Sequence, residues 1–286
     1  MEKKYAYVTL LTTNSFMSGL MVLVVSMRRS GCSYPIYCVV TPEITQENRN
    51  ILLFMGIHII DRPEIPMTQA IHDFNTSHEH DFEGWYKAFS KFHVFGLEEF
   101  DKIVYIDCDM IVRENLDCLF EKPHMTGCID AEGLEGQPFD YLIEGDKYFQ
   151  YFNSGLLVIE PKMSLYEDIM KFVENLVPDR ILADQNILAL YYPEWKDQDE
   201  LHLLIYYNIF SSCIDTYLKK TWFEMDKVKI FHFLGGQKPW TLNTASYKAL
   251  NDVYGQIGVE YLNILNEIIR SLEVLGFHSE DLKIIP

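Results

Sequence analysis

Basic residues are scarce in this chain. Against 42 aspartates and glutamates stand 24 lysines and arginines, a formal net charge of -18. Such a balance argues against non-specific binding to nucleic acid or to an anionic membrane. It leaves room for a nucleotide, because a local site of cation, backbone N–H groups and one or two lysines needs no basic surface. The six cysteines include no C-x-x-C pair, so free thiols in a reducing compartment are expected and a zinc cluster is not. No secretory signal is evident. The apolar run Leu20–Val25 is too short to span a bilayer and is followed, not preceded, by Arg28 and Arg29. The expectation is a cytoplasmic protein that does not associate with membranes, in which the Asn75-Thr76-Ser77 sequon is idle. No Gly/Ser- or Pro-rich linker, internal repeat or low-complexity tract divides the 286 residues. One domain is therefore expected, with 48% hydrophobic residues to fill its core.

What is present alternates as α/β proteins do. Strands are predicted at Tyr5–Leu11, Pro35–Val40, His58–Ile60, Lys102–Ile106, Thr126–Ile129, Tyr151–Ile159 and Val228–Phe233. Helices are predicted at Phe16–Arg29, Trp85–Leu97, Met163–Leu176, Asp184–Tyr192 and Val253–Leu275. A further helix is predicted over Pro42–Met55, with Thr41 as N-cap and Pro42 in the first helical position. The polar stretch from Arg62 to Glu83 reads as a long loop, and its His78-Glu79-His80 as solvated rather than metal-binding. The apolar spacing of Val259, Leu262, Leu265, Ile268, Ile269 and Leu272 demands burial, either on the same domain or in a homodimer.

Four motifs carry chemistry, and each also has a purely structural reading. Asp107-Cys108-Asp109 ends a hydrophobic strand, where open α/β sheets place their ligands. Two carboxylates so spaced can converge on one hard divalent cation that bridges diphosphate oxygens, although an isolated D-x-D is more often a solvated strand–loop junction. His232 to Trp240 offers an imidazole, Gly235, Gly236 and Lys238 within seven residues. Glycines let backbone N–H groups approach a phosphate and the lysine adds a cation, while the alternative is a turn with His232 buried against Trp240. Asn153-Ser154-Gly155 supplies donors and acceptors for sugar hydroxyls, or a glycine required by close packing. Asp184-Gln185 opens a helix as a carboxylate–amide pair, or with Asp184 as a plain N-cap.

Taken in order, these motifs resemble glycosyltransferase family 8, in particular its glycogenin-like branch. The likeness runs from Tyr5 to about Trp240. It takes in Val8-Thr9-Leu10-Leu11-Thr12-Thr13-Asn14, the helix bearing Lys91, Cys128-Ile129-Asp130 and Phe152–Leu157 besides the motifs above. The resemblance implies a GT-A fold, a Rossmann-like, mostly parallel mixed sheet flanked by helices. It implies a donor half near residues 1–110, an acceptor and catalytic half near 111–245, and a C-terminal helical extension near 246–286. It implies Mn2+, or Mg2+, held by Asp107, Asp109 and His232, and a UDP-sugar as donor. Leu11, Thr13, Asn14 and Phe16 would line the uridine pocket. Gly235 and Lys238 would hold the diphosphate, Cys108 would also belong to the donor site, and Lys91, Asp130, Asn153, Ser154, Asp184 and Gln185 would contact the sugar. Transfer would retain configuration by front-face attack, with Gln185 supporting the oxocarbenium-like transition state and Asp184 and Lys238 completing the catalytic set.

One stretch departs from glycogenin, which glucosylates its own tyrosine. The corresponding run here is Ile214-Asp215-Thr216-Tyr217-Leu218, with Asp215 where the acceptor tyrosine is expected and Tyr217 retained. About one helix follows the His232 motif. A separate glycan or glycoprotein acceptor is therefore expected, with a self-glycosylating primer or a silent nucleotide-sugar-binding module as alternatives. A sugar-1-phosphate nucleotidyltransferase would carry a Gly-rich loop after the first strand, where this chain has Thr12-Thr13-Asn14-Ser15.

Overall fold

The computed structural model describes residues 3–78, 83–130, 152–221, 223–236 and 238–277. Every second residue of a strand points to the same face, so a strand that is apolar throughout must be covered on both sides. The run Tyr5–Leu11 (β1) is of this kind: Tyr7 and Leu11 enter one core, and Ala6, Val8 and Leu10 the other. It lies third from one edge of a seven-stranded sheet. In spatial order the strands are β3 (His58–Asp61), β2 (Ile36–Val40), β1, β4 (Lys102–Ile106), β7 (Phe152–Ile159), β6 (Gly127–Ile129) and β8 (His202–Leu203). Only β7 runs antiparallel to its neighbours. The first core packs β1 and β4 against α1 (Met17–Arg29) and the long helix Val253–Val274. The second packs them against Phe89, Phe92 and Phe95 and the helix α5 (Met163–Asn175). This is a single α/β domain, as expected.

A smaller sheet joins β5 (Met110–Val112), β10 (Ile230–His232) and β9 (Ile209–Phe210). It matters for function. In the antiparallel register of β5 with β10, His232 lies opposite Met110, and Phe233 N–H donates to the Asp109 carbonyl at 3.0 Å. Two chain segments more than a hundred residues apart are thereby locked side by side.

Three sequence expectations require correction. The second helix, α2, spans Gln46–Phe54 and is capped by Thr45, whose hydroxyl accepts from Asn48 N–H. Thr41 is fully buried and donates to the Thr12 carbonyl, so it ties β2 to the end of β1 and caps nothing. The polar stretch after Arg62 contains a helix, α3 (Gln69–Ser77), capped by Thr68. Its Asn75 is 1% exposed and clasps the backbone N–H and carbonyl of Leu182, two residues before Asp184. Trp85–Leu97 is not one α-helix: α4 (Glu83–Ala88) ends at Ala88 and the chain tightens into a 3-10 segment, Phe89–Gly96, that carries Lys91. In His78-Glu79-His80, only His78 falls within the described residues, and its ring bonds the Phe74 carbonyl.

The final long helix spends its apolar stripe on its own domain, burying Tyr261, Leu262, Leu265, Ile268 and Leu272. No helix among the described residues is long and apolar enough to cross a membrane.

His124 sits beside the start of β6. Its Nδ1 accepts from Glu160 N–H and its Nε2–H faces the Tyr192 hydroxyl, at 3.1 Å each. Burial pushes its pKa down to about 4. Because the folded value lies below the unfolded one of ~6.5, its contribution is complete above that pH and is lost as pH falls towards 4. His124→Gln should remove a loss on the order of 1–3 kcal/mol between pH 7 and pH 4.5. Urea melts of both proteins at the two pH values measure it, and parallel losses would refute it.

Candidate active site

All four motifs converge at one end of the sheet. Asp107 follows the carboxyl end of β4, and the antiparallel β7 begins beside it, with Asp107 N–H donating to the Gly155 carbonyl at 2.8 Å. Ligand atoms of Asp107, Asp109 and His232 all lie within 4.8 Å of one another. Asp109 is 7% exposed and His232 2%, so neither is a solvated junction residue. His232 Nε2 stands 3.3 Å from Asp109 Oδ1. Trp240 packs instead on Phe16 and Tyr261, which sets aside a histidine stacked on that tryptophan.

Two lysines balance the acids. Lys238 Nζ lies 2.6 Å from Asp109 Oδ2 and 2.8 Å from the Phe233 carbonyl. Burial alone would raise the Asp109 pKa, but His232 and Lys238 outweigh it and hold the carboxyl well below its usual range. Lys91 Nζ meets Asp184 Oδ2 at 2.7 Å, Ser154 Oγ at 3.0 Å and Asp107 Oδ1 at 3.3 Å. Its burial disfavours the charge, yet Asp107 and Asp184 prevail and raise its pKa. Tyr105 completes this group by donating to Asp107 Oδ1 at 2.5 Å. Asp184 is therefore no N-cap: that position is Ala183, and the Asp184 carboxylate is taken by Lys91 and Ser154.

Gln185 accepts from Asn153 Nδ2 and Ser154 N–H and donates to Asp130. Asp130, Asn153, Ser154, Asp184 and Gln185 thus form one hydrogen-bonded patch beside the carboxylate–imidazole cluster. Gly155 earns its place by packing: a Cβ there would lie 2.7 Å from His232 Cε1 and from Met110 Cε. Gly155→Ala should displace the imidazole, with activity falling about 10–100-fold and stability by ~1–3 kcal/mol. Turnover compared with melting temperature checks this, and full activity would contradict it.

The residues expected at the uridine lie at the end of β1, and their side chains are less free. Leu11 is fully buried in the core, and Asn14 is committed to the backbone of Glu43 and Thr45 and to Asn48. Thr13 shares a hydrogen bond with Ser15, and Phe16 lies under Lys238 Nζ at 5.6 Å from the ring centre. Cys108 points into the core. Gly235 adopts a left-handed φ of 82°, and a Cβ at Gly236 would meet open space. Tyr105 and Asn208 escaped the sequence reading. Asn208 is fully buried between His232 Nδ1 and Asn153, at 3.0 and 2.8 Å. A lone amide in the apolar run Leu203–Phe210 was the available signal.

This sheet, with an acid-rich, lysine-balanced site at its strand ends, is a GT-A fold. The galactosyltransferase LgtC, solved with donor and acceptor sugar analogs, superposes with a TM-score of 0.60 at 17% identity, over 92% of this chain and 95% of that one. In sequence, galactinol synthase 1 of Solanum lycopersicum is 28% identical over 82% of this chain and 73% of its own. Glycogenin-1 of Caenorhabditis elegans is 26% identical over 82% of this chain and 50% of its own. The family model for glycosyl transferase family 8 matches residues 7–244. The chain belongs to that family and is a retaining glycosyltransferase.

Proposed function

We propose that this protein transfers a hexose, glucose or galactose, from a UDP-sugar to a separate glycan or glycoprotein acceptor. The observation that carries the reading is the approach of ligand atoms of Asp107, Asp109 and His232 to within 4.8 Å of one another, with Asp109 and His232 buried and Asp107 half-buried. Two carboxylate oxygens and an imidazole nitrogen suit Mn2+, with Mg2+ less favoured by the nitrogen. The fit has a second support: with Nδ1 bonded to Asn208, His232 directs Nε2 at a carboxylate oxygen, a pairing that favours a cation between them. Bound there, the metal supplies Lewis-acid stabilisation of the departing diphosphate.

The chain's own residues do the rest. Lys238, freed from Asp109, offers a second positive charge to the diphosphate. Gly235 and Gly236 leave backbone room for it. Asn153, Asp130 and Gln185 present amide and carboxylate groups to sugar hydroxyls. Asp184 is held by Lys91 and Ser154, which supports a charge-balancing role over that of nucleophile. Front-face transfer, with Gln185 steadying positive charge at the anomeric carbon, follows from that assignment.

A self-glycosylating primer finds less support. Tyr217 is 0% exposed and lies within the core, while Asp215 occupies the exposed turn of its short helix. The test is UDP release from a panel of UDP-sugars with Mn2+, with Mg2+ and with EDTA, followed by intact-mass analysis. Release from one hexose donor with Mn2+, without added mass at Tyr217, supports the reading. Donor-independent silence together with metal-independent UDP binding would replace it with a binding module.

A further inference from the structure

Side-chain amides can usually be drawn either way round, because oxygen and nitrogen look alike. Here two backbone donors remove the choice. Ser154 N–H, at 2.9 Å, fixes the neighbouring Gln185 atom as Oε1, and leaves Nε2 to donate to Asp130. Gly155 N–H, at 3.0 Å, fixes Asn153 Oδ1 and so turns Asn153 Nδ2 to Gln185 Oε1. Asn208 must then present Nδ2 to Asn153 Oδ1 and Oδ1 to His232. An amide oxygen only accepts, so the proton of neutral His232 sits on Nδ1 and the lone pair on Nε2. That lone pair faces Asp109 and the cation site.

We propose that Asn208 is a positioning residue that holds His232 as the Nδ1–H tautomer and couples this ligand to the sugar-facing amides Asn153 and Gln185. It touches neither metal nor donor. The device works because all three amides are locked in one polarity, so a change at the sugar end reaches the metal end. The metal half rests on the function proposed above; the tautomer does not.

The first test is NMR of metal-free protein labelled with nitrogen-15 at histidine, above the ordinary histidine pKa, with His232→Gln assigning the signal. The expected pattern is protonated Nδ1 and bare Nε2, lost in Asn208→Leu. An Nε2–H tautomer in the wild type, or an unchanged pattern in the variant, would overturn the proposal. The second test counts free Mn2+ by electron paramagnetic resonance. Asn208→Leu should bind Mn2+ about 10–100-fold more weakly. If that variant fails to fold, a pair at Asn153 decides. Asn153→Leu should weaken Mn2+ binding about threefold or more although Asn153 is not one of the three proposed metal ligands. Asn153→Asp keeps an oxygen for Asn208 Nδ2 and should retain binding. Equal Mn2+ binding by the two Asn153 variants would refute the coupling. A wild type that binds no Mn2+ refutes the proposed function instead, and the NMR result then judges the tautomer alone.

Discussion

Replacing Lys91 by methionine should cost about 3–5 kcal/mol of stability, because it leaves buried acids without their counter-charge. Lys91 is 5% exposed and stands between Asp184 and Asp107, with Ser154 as its third partner. Methionine fills similar volume, so the loss reports charge rather than a cavity. Lys91→Met combined with Asp184→Asn should recover part of the stability, since one of the two orphaned charges is gone. It should recover no turnover, since the proposed sugar contacts of both residues are lost. Denaturant melts of the three proteins measure the first effect and UDP release the second. Equal stability of Lys91→Met and wild type would mean that the ion pairs are solvated in solution.

Asp109→Asn should leave the fold in place and lower turnover roughly a hundred- to ten-thousand-fold. That range corresponds to several kcal/mol of lost metal stabilisation at about 1.4 kcal/mol per decade. The amide keeps the shape and an oxygen for Lys238, but it removes the charge that balances Lys238 and a divalent cation. Steady-state turnover at saturating Mn2+, with circular dichroism as the check on folding, gives the answer. Turnover within threefold of wild type would remove Asp109 from the metal site.

Much of this was legible in the sequence, and the misses have physical causes. Lys102–Ile106 announced itself by an unbroken apolar run ending in two aspartates, and the structure gives that strand the same bounds. The second helix began late because Thr41 and Thr45 both offer a capping hydroxyl; burial of Thr41 beside Thr12 decides between them, and burial is a tertiary fact. The helix Gln69–Ser77 buries only Ile71 and Asn75, too few positions to produce a period. Lys91 was found, but in a 3-10 segment rather than an α-helix, since the phenylalanines around it pack on the sheet at every turn. Asn208 went unread for a different reason. Its meaning lies in the polarity of its partners Asn153 and His232, which are distant in sequence and meet only in the fold.

The most direct test of the metal-dependent site is calorimetric binding of UDP to the wild type and to Asp109→Asn, each with Mn2+ and with EDTA. The account predicts tight binding only for the wild type with Mn2+, at least tenfold tighter than in EDTA by the charge argument above. Binding of UDP with the same affinity in EDTA, or unchanged by the loss of the Asp109 carboxylate, would contradict it.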